Sequence, residues 1–247
     1  ADDASALFVN PAGTMAASDP AAYLDYSEPP WSDVARESRL AVAGAARRMG
    51  FALGWYRFGS DAGSFDLLIL NAARKLIDGT QGSFISLGAN ATVGRSTYEK
   101  TLVGDADSEC KLSGDLGIIV RPLPVVSFGY AAGNVGGVRF VDAAGEESGR
   151  FVHRWGASYF WENRVILSFA AERIEGRTTL HYGLSAKTAA PIELLAGFAD
   201  AHASGGVRWN GARCRAVIAF SAGDARHVEW TCGLEVGMRA NADGEAP

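Results

Sequence analysis

Residues 150–187 read RFVHRWGASYFWENRVILSFAAERIEGRTTLHYGLSAK. Arg154, Gly156 and Ser158 share one face of its first segment, Ser168 and Glu172 one face of the second, and His181, Gly183, Ser185 and Lys187 one face of the third. The opposite faces carry Trp155, Tyr159, Leu167, Phe169, Tyr182 and Leu184. An alternation of period two over about ten residues, repeated across short joints, predicts antiparallel strands with one apolar and one polar or tiny face. No α-helical spacing of apolar residues competes with it.

The pattern extends in both directions. Upstream, Leu40, Val42, Gly44 and Ala46 fall on one face, and after Arg47-Arg48 so do Phe51, Leu53 and Trp55. Phe65 to Leu76 and Phe84 to Tyr98 flank Asp78-Gly79-Thr80-Gln81-Gly82, and Lys111 to Arg121 meets Val125 to Asn134 across Pro122-Leu123-Pro124. Downstream lie Ile192 to Phe198, Gly205 to Asn210, Arg213 to Ser221 and His227 to Met238, and Tyr23 to Ser27 supplies one more. The total is about 14 strands, the even number expected of a bacterial outer-membrane barrel. Residues 21–238 allow about 15 or 16 residues per strand and connection, against the 9 to 11 a tilted strand needs to cross a bilayer. Loops are therefore short, apart from Leu102 to Cys110 and Gly136 to Gly149. The expected fold is all-β, a transmembrane antiparallel β-barrel, with residues 1–20 as a segment in the lumen, 21–238 as barrel and 239–247 as a polar tail.

Alternation alone does not say which face points outward, since a soluble sandwich shows the same period. The charged and tiny face argues for an inward polar lining, placing Arg154, Arg213, Arg215, Glu229 and Glu235 in the lumen and the apolar face against lipid. Trp55, Tyr56, Trp155, Tyr159, Trp161, Tyr182, Trp209 and Trp230 lie mostly on or near the apolar face, some close to strand ends, as an interfacial girdle requires. A net charge of -5 excludes a nucleic-acid surface, which needs a concentrated basic face. The four histidines lack metal-ligand spacing, and no nucleophile-elbow motif occurs, so neither a metal, a cofactor nor an enzymatic activity is expected. Paired carboxylates such as Glu172 and Glu175 read as solvated charge. Cys214 and Cys232 are symmetric about Gly223, so either a cross-strand disulfide or two thiols on the lipid face fits.

The opening, Asp3-Ala4-Ser5-Ala6-Leu7-Phe8-Val9-Asn10-Pro11-Ala12-Gly13, resembles the N-terminal motif of the FadL-like superfamily of fourteen-stranded outer-membrane barrels, which includes hydrophobic-compound transporters and PorV/PorQ-type proteins. The resemblance implies that Phe8, Asn10, Pro11, Ala12 and Gly13 form a hatch in the lumen. Asn can satisfy backbone groups with its amide, Pro fixes one φ, and Ala-Gly permits close approach to the wall. It implies passage of small hydrophobic molecules past that hatch, with Leu7, Phe8 and Val9 lining the path and a break near Asn71-Ala72-Ala73 or Gly133 as a lateral exit. The chain has little room for the large loops that form a capture groove in the family's transporters, which favours an adaptor barrel docking another envelope protein as the second reading. A polar lumen would also suit a narrow aqueous pore. The expected partners are outer-membrane lipids, a small hydrophobic ligand and such an envelope protein.

Overall fold

A computed structural model describes residues 4–16, 20–28, 36–60, 63–79, 82–98, 108–136, 140–141, 147–148, 150–162, 164–200, 202–211, 214–222 and 228–237. Two 3-10 turns, Ala4–Phe8 and Pro11–Ala16, precede the strands. The strands are β1 (Ala21–Glu28), β2 (Arg36–Ala46), β3 (Met49–Ser60), β4 (Gly63–Asp78), β5 (Phe84–Tyr98), β6 (Ser108–Leu123), β7 (Val126–Gly133), β8 (Phe140–Val141), β9 (Glu147–Ser148), β10 (Val152–Trp161), β11 (Val165–Ile174), β12 (Arg177–Lys187), β13 (Ile192–Ala199), β14 (His202–Asn210), β15 (Cys214–Ala222) and β16 (Val228–Gly237).

Fourteen of these close into one antiparallel barrel, each paired with its sequence neighbours, β7 with β10 across an excursion and β1 with β16. The excursion holds the small β8–β9 pair, inside the segment read as a plain loop from the sequence. Closure leaves no sheet edge, which satisfies the backbone groups that a membrane interior cannot hydrate. One rim carries the start of β1, the end of β16 and joints such as Arg47-Arg48 and Pro124-Val125; it is called the terminus side. The opposite, loop-side rim carries the excursion and the Glu175-Gly176 turn. Both residues of that turn have positive φ, 47° and 87°, the geometry of a two-residue hairpin turn in which Gly is favoured. Pro122, which cannot donate to a ladder, sits where β6 and β7 lose register between Val120 and Leu123.

Strand parity separates the surfaces as the alternation predicts. Phe51, Leu53, Leu68, Leu70, Leu112, Leu116, Phe128, Tyr159, Trp161, Ile218 and Trp230 are exposed on the outside, while their alternate neighbours face the lumen. On β4 the outward charges Asp66 and Arg74 bracket only Leu68, Leu70 and Ala72. Eight residues at roughly 3.3 Å each, tilted by roughly 40°, give an apolar band roughly 20 Å tall. Aromatics mark both borders: Phe51, Phe128, Trp161 and Trp209 lie near terminus-side strand ends, and Tyr26, Phe198, Phe220 and Trp230 near loop-side ends. Such an exterior, a contiguous apolar band bordered by aromatics, has the pattern of a lipid-facing surface.

The last hairpin departs from the expected register. Cys214 pairs with Val236 and Cys232 with Ile218, and both cysteines are free thiols. The pairing is symmetric about residue 225 rather than Gly223. A two-residue move of the turn centre separates the cysteines by four positions, so no cross-strand disulfide joins them. The polar tail, residues 239–247, lies outside the described residues.

Candidate functional site

Residues 4–16 lie in the lumen against the inner faces of β2 to β7. Their seat is a set of residues without side-chain bulk. Cross-strand partners run Gly50 to Ala73, Ala73 to Gly88, Gly88 to Gly117 and Gly117 to Ala131. A Cβ on Gly88 would overlap the Pro11 carbonyl and the Ala12 nitrogen, and one on Gly117 would overlap the Asn10 amide. Leu7, 1% exposed, packs onto Gly54 and joins Ala21, Ala41, Ala43, Ala52 and Ile69 in one apolar cluster, with Phe8 at its margin. Burying one leucine contributes roughly 2 kcal/mol to seating the segment. Val9, by contrast, is exposed toward open lumen.

One row further toward the loop side, Asn71, Asn90 and Asp115 are cross-strand partners on β4, β5 and β6. Asn71 donates to Asn90 Oδ1 at 2.8 Å, Asn90 donates to Asp115 Oδ2 at 2.9 Å, and Asp115 Oδ1 accepts from the Asn134 backbone at 2.8 Å. This relay also grips the segment. Thr14 donates to Asn71 Oδ1 at 2.7 Å, Asn71 donates to the Pro11 carbonyl at 3.0 Å, and Asn90 donates to the Leu7 carbonyl at 3.1 Å. Ser86 donates to the Ala12 carbonyl at 3.2 Å. Asn10 donates to the carbonyls of Ile118 and Tyr130, both at 3.2 Å, and its own Oδ1 accepts from the Ala12 nitrogen at 3.0 Å. Its amide thus closes a local turn and spans the β6–β7 seam at once. Each such bond contributes roughly 0.5 to 1.5 kcal/mol, and an orphaned buried partner costs more.

The other half of the wall stays open. A cavity of about 1050 Å³ lies between Val9 and Asn10 on one side and the inner faces of β10 to β15 on the other. Arg154 and Arg215 line it. Arg154 is ion-paired with Glu172, its cross-strand partner, so Glu172 is a lumen residue and not a solvated loop charge. Arg215 pairs with Glu235 at 3.3 Å. Glu229 is a β16 residue opposite Ser221, and Arg213 lies outside the described residues.

Several inward polar residues escaped the sequence reading. Glu193, 3% exposed, accepts from Ser185, from Arg208 at 3.3 Å and from Asn210 at 3.3 Å. Asp25 receives Tyr23 and lies 3.6 Å from Arg39, which also holds Glu37 at 2.9 Å. A lone Asn or Asp at the inward parity of an apolar strand, as in Leu70-Asn71-Ala72 and Ala89-Asn90-Ala91, was the available signal. β4 runs unbroken through Asn71-Ala72-Ala73, so no exit lies there; its register shift comes later, between Lys75 and Ile77. At Gly133 the wall does change. β7 ends there, and among the described residues Ser108 to Ser113 of β6 pair only with β5.

No protein-family model matches the chain, and no curated protein matches it. Solved structures do. The chain is 12% identical to the Pseudomonas putida toluene transporter TodX, with a TM-score of 0.62, covering 94% of this chain and 92% of that one. The Ralstonia pickettii toluene transporter TbuX gives 12% identity and a TM-score of 0.61 over 96% and 94% of the two chains. The deltaS2 mutant of the TodX monoaromatic hydrocarbon channel gives 10% identity and 0.66 over 96% and 94%. These neighbours are named as transporters and a channel. At such identities the likeness is one of fold alone: the chain shares the closed antiparallel β-barrel of these structures.

Proposed function

We propose that the protein resides in the bacterial outer membrane and lets small hydrophobic molecules pass down their gradient, past an N-terminal hatch formed by residues 4–16. The observation that carries this reading is the seated segment beside a cavity: the lumen is narrowed on one wall and open on the other. Val9, Ile119, Phe160, Ile166 and Leu195 give the open side apolar surface for such a solute. The interrupted pairing beyond Gly133 is the candidate lateral exit, and Asn10, bonded across the β6–β7 seam, is the residue that couples the hatch to it. Lipid covers the exterior band. Toluene is the natural first probe, because the structural neighbours are named for it.

The test is uptake of toluene by cells expressing the chain, against cells carrying an empty vector and cells expressing a barrel with the segment locked by a Thr14→Cys/Asn71→Cys disulfide. Faster uptake with the free barrel, lost on locking, supports passage past the hatch. Equal uptake in all three strains contradicts it, and stable co-purification of an envelope protein alongside equal uptake would replace it with the adaptor reading.

A further inference from the structure

On the outer face of the barrel, at its loop-side border, three hydrogen-bonding side chains stand in one row. His153 on β10 is the cross-strand partner of Arg173 on β11, and Arg173 that of Thr178 on β12. They share the strand parity of the exposed Trp155, Phe169 and Leu180, so they point away from the lumen. Cross-strand neighbours stand roughly 5 Å apart, so an imidazole, a guanidinium and a hydroxyl lie side by side over roughly 10 Å. Arg173 is exposed, and no carboxylate lies within ion-pair reach of it among the described residues. Glu175, at the adjoining turn, is held by Arg150 at 3.1 Å, and Glu172, on the inner face, by Arg154.

The imidazole is held on several sides. Tyr130 Oη and His153 Nδ1 are 2.8 Å apart across the β7–β10 pair, Trp155 stacks on the ring with centroids 5.5 Å apart, and Phe151 meets it edge-on at 4.5 Å. With the tyrosine hydroxyl donating to Nδ1, the ring proton sits on Nε2, a donor beside the guanidinium. The next row toward the bilayer centre reads Tyr130, Trp155, Ala171 and Leu180. Ala171 is a low point in it, one row below Arg173. Ala157, in the row after, is another, flanked by Phe128 and Phe169. An interfacial girdle accounts for the aromatics; it does not account for an unpaired guanidinium between two further polar groups. Polar groups at the border of an apolar band, above a floor of small residues, suit an amphiphile whose anionic head meets the donors and whose chain lies on the band. Arginine's planar fork matches the oxygens of a phosphate.

We propose that His153, Arg173 and Thr178 hold the headgroup of a phosphate-bearing lipid of the loop-side leaflet, with its acyl chain over Ala171 and Ala157. The site rests on the membrane location proposed above and is independent of passage through the lumen. A barrel keeping Trp155 as its one tryptophan, shown to be folded by heat-modifiable gel mobility, tests it in dioleoylphosphatidylcholine vesicles that contain either phosphatidic acid or phosphatidylcholine with brominated chains. Phosphatidic acid should quench Trp155 with an affinity roughly threefold or more above that of phosphatidylcholine. Arg173→Gln should bring the ratio to about one, excess inorganic phosphate should leave it unchanged, and a barrel keeping Trp230 alone, whose cross-strand partner is Glu28, should show no preference. The unaltered chain, released from equal amounts of the two lipids into native mass spectrometry, should retain phosphatidic acid, and Arg173→Gln should lose it. Equal quenching by the two lipids, a preference that survives Arg173→Gln, the same preference at Trp230, displacement by inorganic phosphate, or retention of both lipids or neither would each overturn the lipid site. Absence of quenching by either lipid would overturn the membrane location along with it.

Discussion

Where the segment sits, the inner wall between β2 and β7 is built from Gly50, Ala52, Ala73, Gly88, Gly117 and Ala131, with Asn71, Asn90 and Asp115 in the next row; between β10 and β15 it carries Arg154, Glu172, Ser185, Glu193, Arg208 and Arg215. The first wall is shaped to receive a polypeptide, because backbone approaches backbone only where no Cβ intervenes. The second is shaped to keep water, because its charges satisfy each other and leave polar surface toward the lumen. One barrel therefore holds a plugged half and an open half, and the difference arises from side-chain size on one wall and side-chain charge on the other.

The largest effect is expected where bulk is added to the plugged half. Gly117→Leu should unseat the segment, costing about 1 to 3 kcal/mol by overpacking; in a background with Cys110, Cys214 and Cys232 changed to Ser, maleimide labelling of Ala12→Cys should rise by roughly tenfold or more. Labelling as slow as in the parent barrel would show that the glycine row is not the seat.

Removing polar grip should act next. Asn71→Ala deletes the donor to the Pro11 carbonyl and the acceptor for Thr14, and should loosen the segment by about 1 to 3 kcal/mol. Asn10→Ala, which strips a donor from the Ile118 and Tyr130 carbonyls, should act similarly but less, since those carbonyls lie at a seam that water can reach. The same labelling assay ranks the two, and the reverse order would argue that Asn10 is the principal anchor.

On the open half, the double change Arg154→Ala/Glu172→Ala should leave segment labelling within about a factor of two, because distant sites are close to additive. A large change would mean that the two walls are coupled. The smallest effect concerns the last hairpin: reductant should leave gel mobility and thermal stability unchanged, since Cys214 and Cys232 are not bonded.

Much of this contrast was written in the residue alternation. Period two placed Arg154, Gly156, Ser168, Glu172, His181 and Arg215 on one face, and the tiny and charged character of that face identified it as the lumen. The count of barrel strands followed from counting the alternating segments, and the residues available per strand agreed with it. What alternation does not encode is register across an ambiguous turn, and Ser221-Ala222-Gly223-Asp224-Ala225 offers several turn centres of equal chemistry, so the cysteine pair was misplaced. Nor does it encode which inward residues meet. Asn71, Asn90 and Asp115 lie 19 and 25 residues apart in sequence and become one relay only when two registers are set together. Glu172, though on that face, was read as solvated charge because it lies beside the Glu175-Gly176 joint; its ion pair with Arg154, 18 residues away on the neighbouring strand, appears only when the register is set.

The most direct test of the plugged and open halves is a disulfide trap in whole cells. With the native cysteines removed, Thr14→Cys should cross-link with Asn71→Cys on β4, whose side chains meet at 2.7 Å in the native pair, and should not cross-link with Ser168→Cys on β11. Cross-linking to Ser168→Cys, or to neither position, would contradict a segment seated on the glycine-lined wall.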